Sequence, residues 1–178
     1  MRYFLKDNIT GESAKYKTSV DITEKDGRLR FCFEAENSVC YCPYDEYNKD
    51  LFDGDVCEVF IGSDPKGIKY YEIVVSPSGV LFLARVTDRG NKDWDLHLID
   101  EKKCFVSYSA EITEKGYFAE LSFNVKDVKT GDGDMVFNAF RIDTDGEIPE
   151  KHLFALNPTL KDTFHYTPAM VKLKDYVK

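Results

Sequence analysis

The sequence lacks the long apolar runs that membrane proteins and secreted precursors need. Among its 178 residues the apolar stretches are short, such as residues 73–75 and 80–84, whereas a membrane-spanning helix takes about 20 apolar residues. Residues 1–6 also lack the apolar core of a signal peptide. We therefore expect no membrane partner, and a cytoplasmic location if the chain is full length.

The sequence also lacks a disulfide framework and a histidine cluster. The five cysteines are an odd number without disulfide-framework spacing, which favours a reducing compartment. Cys40 and Cys42 lie close together, but a zinc site needs four ligands and no second cysteine pair follows. None of the three histidines, His97, His152 and His165, has a Gly-x-Ser-x-Gly segment nearby, so nothing supports acyl transfer by a serine nucleophile.

The chain has no excess of positive charge. Its 32 acidic residues outnumber 24 basic ones, giving a formal net charge of -8, which repels nucleic acid and anionic membranes. Glycine-rich phosphate loops are absent as well, since Gly131 and Gly133 lie among aspartates that would repel a phosphate. We therefore expect no nucleic-acid partner.

What the sequence does contain is period-two alternation in short runs. Residues 28–35, for example, place Leu29, Phe31, Phe33 and Ala35 on one face. Residues 24–27, 77–79 and 114–116 supply hairpin turns between neighbouring runs. The pattern predicts one all-β domain over residues 1–178, an antiparallel β-sandwich of about 9–11 strands with long ligand-binding loops.

Three segments are longer and more irregular than hairpins require, namely residues 43–53, 89–95 and 157–168. Long loops on a rigid β scaffold often carry binding groups. Trp94, the only tryptophan, lies in a polar part of the second segment. Its ring either closes one end of the core or contacts a ligand.

Three charged residues interrupt apolar strand-like runs: Glu58, Glu72 and Arg141. A carboxylate in such a run needs a partner. One interpretation makes Glu58 a rim residue or one half of an ion pair across the sheet. The other makes it an acceptor for sugar hydroxyls, with all three side chains converging on one face.

Four segments together resemble the family 9 carbohydrate-binding module, a DOMON-like β-sandwich. They are FDGDVCEVFI at residues 52–61, YEIVVSPSG at 71–79, NAFRID at 138–143, and the stretch from ALNPT to FH at 155–165. Their order and spacing match the family, and the resemblance spans residues 15–174. No single segment is specific, so the resemblance depends on the set.

The resemblance implies a non-catalytic domain that binds a terminal, typically reducing-end, sugar of a glucan, xylan or short saccharide. Such modules hold the ring between two tryptophans, and the matching positions here are Phe52 and Phe164, whose rings are smaller and lack the indole N–H. The predicted sugar-binding residues are Phe52, Glu58, Glu72, Trp94, Arg141, Asn157, Phe164 and His165.

The resemblance has further implications for cofactors and partners. No cofactor is required for sugar binding, but structural calcium is expected in such modules, with Asp50 and Asp55 as the candidate ligands. A carbohydrate is the expected partner. Association with, or descent from, a glycoside hydrolase is also implied, and with it an extracellular location if the chain is a fragment of a secreted enzyme.

Two other interpretations stay open. Because both family tryptophans are replaced by phenylalanine, the chain is alternatively a structural or protein-interaction sandwich with a decayed sugar site. DOMON-like relatives also bind haem, for which Met170 and His165 would be the axial ligands. An enzyme is not expected: Glu58 and Glu72 could form the carboxylate pair of a glycosidase, but the family's corresponding face binds without cleaving.

Overall fold

The computed structural model describes residues 1–37, 39–90, 93–146 and 151–177. Its strands in these ranges are β1 (Arg2–Phe4), β2 (Lys6–Asp7), β3 (Thr18–Lys25), β4 (Arg28–Glu36), β5 (Val56–Gly62), β6 (Lys69–Val75), β7 (Leu81–Asp88), β8 (Trp94–Leu98), β9 (Ser107–Thr113), β10 (Gly116–Asn124), β11 (Val136–Asp143), β12 (His152–Ala155) and β13 (Val171–Lys172). Short 3-10 helices occupy Leu51–Asp53, Glu101–Lys103, Val125–Val128, Thr167–Ala169 and Leu173–Asp175. No helix in the described ranges has the length and apolar character to cross a bilayer.

The strands form two antiparallel sheets. The five-stranded sheet has the order β1-β3-β4-β10-β9, and the eight-stranded sheet has the order β2-β12-β11-β5-β6-β7-β8, with β13 pairing with β11. The predicted all-β sandwich is confirmed. The described chain has more strands than expected because β1, β2 and β13, of two or three residues each, are too short for alternation to show.

The predicted hairpins follow from local turn chemistry. Between β3 and β4, Asp26 and Gly27 both have positive φ, 52° and 76°, as a two-residue turn with the twist of a β-hairpin requires. The alternation in β4 then buries Leu29 and Phe31 completely. One boundary was wrong: β8 begins at Trp94, inside the segment predicted to be irregular.

Apolar side chains cover both faces of the eight-stranded sheet. Between the sheets, Phe31, Phe123 and Phe137 belong to the main core. On the outer face, a second cluster contains Phe60 and Phe140, and loop residues pack over it. Strands β5 and β11 are therefore buried on both sides.

Strand parity decides which face each side chain occupies. In β5, Cys57 and Val59 belong to the inner core, whereas Val56 and Phe60 belong to the outer cluster. Glu58 shares their parity and therefore also lies on the outer face. The outer face of this sheet is where the candidate site lies.

Candidate functional site

A cavity of about 270 Å³ opens on the outer face of the eight-stranded sheet. It brings together six of the predicted sugar-binding residues from three strands and two loops, and Arg141 and Asn157 are not among its lining residues. The lining consists of Phe52, Glu58, Phe60, Glu72, Trp94, Leu96, Ile142, Lys151, Leu153, Asp162, Thr163, Phe164 and His165.

Two carboxyl groups form the floor of the cavity. Glu58 on β5 and Glu72 on β6 are diagonal neighbours, because the residue opposite Glu72 is Phe60. Only 2% of Glu58 and 4% of Glu72 is exposed. Oε1 of Glu58 and Oε2 of Glu72 are buried without a hydrogen-bond partner among the described residues, and the ion pair considered for Glu58 is not found in that part of the chain.

The same burial controls the protonation of the pair. Desolvation raises the pKa of Glu58 and Glu72 well above that of a free glutamate, and repulsion by Glu72 raises the pKa of Glu58 further. Lys151 at the rim lowers the pKa of Glu58, but by less. The pair therefore retains a proton near neutral pH and can both donate and accept hydrogen bonds.

One wall of the cavity is an aromatic stack. The rings of Trp94 and His165 are nearly parallel, with centroids 4.4 Å apart and an angle of 14°. A ring nitrogen of His165, Nδ1, lies 2.6 Å from the hydroxyl oxygen of Tyr70. Burial lowers the pKa of His165 to about 4, so its ring is neutral at physiological pH and serves as a backing for the indole.

Phe52 and Phe164 also line the cavity but differ in exposure. Phe164 is only 7% exposed, and one of its faces is stacked on Phe140 with centroids 4.2 Å apart. Phe52 is half-buried and meets Phe82 edge-on. Phe164 therefore offers at most one face to a ligand, and Trp94 supplies the larger aromatic surface.

The loop that carries Phe164 and His165 is fastened by Asn8. The Asn8 side-chain amide donates to Thr159 Oγ1 at 2.8 Å and to the Lys161 carbonyl oxygen at 2.9 Å. Its carbonyl oxygen accepts from the Thr159 backbone N–H at 2.9 Å. A fully buried asparagine thus fixes the loop that forms one side of the cavity.

No family model matches the sequence, and neither does any curated protein. Solved structures do match. A candidate carbohydrate-binding protein from Bacteroides uniformis superposes with a TM-score of 0.74 at 13% identity, covering 96% of this chain and 84% of the other. A family 9 carbohydrate-binding module from Caldicellulosiruptor kristjanssonii, in complex with glucose, gives 0.61 at 12% identity, covering 99% and 84%.

A third structure, a family 9 module from the same organism in complex with cellotriose, gives a TM-score of 0.51 at 12% identity over 87% of this chain and 71% of the other. The fold is that of family 9 carbohydrate-binding modules. The wider DOMON-like relationship stays a prediction.

Arg141 does not line the cavity. Its neighbours Phe140 and Ile142 belong to the outer cluster, so Arg141 projects between the sheets, where it is 0% exposed. There Nη1 donates to Thr18 Oγ1 at 2.8 Å and Nη2 pairs with Asp143. The prediction that Arg141 contacts a sugar is therefore corrected, and its role is structural.

Asn157 is likewise used within the fold. Its side-chain amide donates to the Ala169 carbonyl oxygen at 2.8 Å, and its backbone N–H donates to Asn138 Oδ1 at 3.1 Å. These bonds fasten the start of the loop to β11 and to the 3-10 helix Thr167–Ala169. The side chain does not reach the cavity, so we remove Asn157 from the candidate site.

The residues proposed for calcium do not fit that ion. Both oxygens of Asp55 are occupied: Oδ1 accepts from the N–H and hydroxyl of Thr144, and Oδ2 accepts from Asn37 and the Tyr41 N–H, at 2.7–2.9 Å. Asp50 is exposed. The described part of the chain contains no group of three or more residues suited to a metal ion, so Asp55 ties loops together instead.

Sequence reasoning missed several lining residues, and strand parity would have found some of them. Phe60 follows Glu58 by two residues, and Leu96 follows Trp94 by two, so each shares a face with its predicted neighbour. Lys151 likewise precedes the lining residue Leu153 of β12 by two residues, whereas Thr163 gave no such signal, because its position depends on how the loop at residues 157–168 folds back over the sheet.

Proposed function

We propose that the chain is a non-catalytic carbohydrate-binding domain that holds a terminal sugar ring in the outer-face cavity. One observation carries the proposal. An aromatic surface stands beside two buried carboxyl groups with unpartnered oxygens, on a sandwich whose fold is shared with a glucose-bound family 9 module.

The cavity combines the two kinds of contact that a sugar ring needs. A pyranose has C–H faces that pack on an aromatic ring, and Trp94 backed by His165 provides one. Its hydroxyls need polar partners, which Glu58 and Glu72 supply at the floor. The volume of about 270 Å³ is just below the range of about 300–1,000 Å³ that is typical of ligand pockets, so one ring fits better than a chain.

The arrangement of the carboxyls supports binding rather than hydrolysis. Glycosidases place their two carboxyls on either side of the scissile bond. Glu58 and Glu72 come from adjacent strands and project from the same floor, so both reach a ligand from one side. Incubation with cellobiose, followed by chromatography, should detect no monosaccharide, and turnover would overturn this part of the proposal.

Titration calorimetry tests the binding itself. Glucose, xylose and cellobiose are titrated into the protein, together with glucitol and cellobiitol, whose reducing ends have been opened by reduction. We expect saturable binding of at least one free sugar and loss of binding with its alditol, as for a reducing-end site. Binding of the alditol would favour a non-reducing end, and silence across the panel would favour the interaction-domain alternative.

The haem alternative is less well supported. The Nδ1 of His165 is engaged by Tyr70, and its ring face is stacked on Trp94. Only the other ring nitrogen, Nε2, is left to act as an axial ligand, and both contacts already hold the imidazole in the cavity wall.

A further inference from the structure

We propose that the preferred ligand of this cavity is an amino sugar with a free primary amine, whose ammonium group is held by Glu58 and Glu72. The inference depends on the function proposed above and narrows it to a cationic class of saccharide.

In the described part of the chain, no basic side chain neutralises the carboxyl pair. Arg141 points to the other side of the sheet and pairs with Asp143. Lys151 stands at the rim with 39% of its side chain exposed, and its Nζ is paired with Asp53 at 3.3 Å. Among the described residues, no cationic group therefore donates to Glu58 or Glu72.

A buried carboxyl pair whose oxygens lack partners lowers the stability of the fold. Two buried carboxyls without partners destabilise a fold unless they are protonated. An ammonium group carries three N–H donors and a positive charge, so it can bridge both carboxylates through charge-assisted hydrogen bonds. A neutral hydroxyl group can form hydrogen bonds to the same two carboxyls, but it adds no positive charge to them.

The surroundings of the pair also favour a cation. His165 is neutral and Tyr70 carries its proton, because burial holds the pKa of His165 low and that of Tyr70 high. Asp88 adds an acidic group near His165, and Lys151 is a basic residue in the cavity lining. The face of Trp94 can further attract an ammonium group, and a single ring fits the volume.

Binding of an ammonium sugar has a defined proton balance. The carboxyl O–H bond of the protonated member breaks, its proton passes to the buffer, and N–H···O bonds form from the ammonium to both carboxylates. Calorimetry in two buffers with different ionisation enthalpies measures that released proton. Glucose binding should release none.

The test compares glucosamine, N-acetylglucosamine and glucose, at a pH where the amine of glucosamine is protonated. We expect glucosamine to bind at least about tenfold more tightly than glucose or the uncharged N-acetyl sugar, with proton release. Equal affinities, or no proton release, would overturn the inference and leave the proposed sugar binding intact. No measurable binding of any of the three sugars would overturn both the inference and the proposed sugar binding.

Two variants separate charge from shape. Glu58→Gln and Glu72→Gln keep the size of the side chain but remove the charge, so each should lower the ratio of glucosamine affinity to glucose affinity, and this ratio is the readout because glucose binding itself also weakens. Glu24→Gln changes the same charge at an exposed position on β3 in the other sheet, and it should keep the preference. A preference that survives both cavity variants would contradict the inference.

Discussion

At the scale of single residues, Glu58 and Glu72 are retained where an apolar side chain would pack better. Each lies in a strand whose other outer-face residues are apolar, for example Phe60 and Val74. A buried carboxyl without a partner weakens the fold. The proposed sugar ligand would supply partners for the Glu58 and Glu72 oxygens that the fold leaves without any.

The pair makes stability fall as pH rises. Because the pKa of Glu72 is raised in the fold, the folded chain holds more protons than the unfolded chain above the free-glutamate value of about 4.3. The stabilisation is complete below that value and is lost as pH rises through the raised pKa. We predict that Glu72→Gln weakens this loss, by on the order of 1–3 kcal/mol at alkaline pH.

Urea denaturation over a pH series measures this difference. His165 contributes with the opposite sign, since its lowered pKa costs stability in acid, but it is present in both proteins and largely cancels. Glu24→Gln serves as the exposed control. Parallel profiles of the wild type and Glu72→Gln would show that the Glu72 carboxyl does not titrate as its burial requires.

Trp94 allows binding to be tested with little disturbance of the fold. It is half-buried at the start of edge strand β8, so Trp94→Ala should weaken sugar binding about tenfold to a hundredfold with a small change in melting temperature. Leu98→Ala, at an exposed position on the same strand, is the control and should bind normally. Phe164→Ala is a less specific test of binding, because that ring also packs on Phe140 and its loss would affect the fold as well.

At the scale of elements, the loop at residues 157–168 depends on the N-terminal segment of the chain. Asn8→Ala removes the three hydrogen bonds that hold Thr159 and Lys161, so we predict a stability loss of about 1–3 kcal/mol and weaker sugar binding. Hydrogen exchange should quicken at the Thr159 amide. Asn124→Ala, which loses a hydrogen bond from the end of β10 to the 3-10 helix that follows it, should leave binding unchanged.

The alternation of polar and apolar residues predicted the strands well, but it assigned only some side chains to the correct face of their sheet. In β4, polar and apolar residues alternate, so the buried face could be assigned from sequence. In β11 nearly every residue is buried, so the pattern does not say which face a side chain takes, and Arg141 was assigned to the wrong one. Glu58 and Glu72 were found because a charge in an apolar run is conspicuous, whereas Thr163 lines the cavity from the loop at residues 157–168, whose path over the sheet no pattern encodes.

At the scale of the whole molecule, Arg141 joins the two sheets. Its guanidinium extends from β11 to Thr18 in β3, and it lies over the ring of Tyr117 in β10 at 5.5 Å. Asp143, from its own strand, supplies the opposing charge. The sheet that carries the cavity is thus supported from behind by a buried ion pair.

Removing one member of that pair should destabilise the sandwich strongly. We predict that Arg141→Met lowers the free energy of unfolding by about 3–5 kcal/mol, because Asp143 is left as an uncompensated buried charge. Adding Asp143→Leu should recover much of the lost stability, because neither buried charge is then present. Urea denaturation measures both changes, and an Arg141→Met protein as stable as the wild type would contradict the assigned role. Because the side chain lies behind the sheet, the folded fraction of either variant should bind sugar with wild-type affinity.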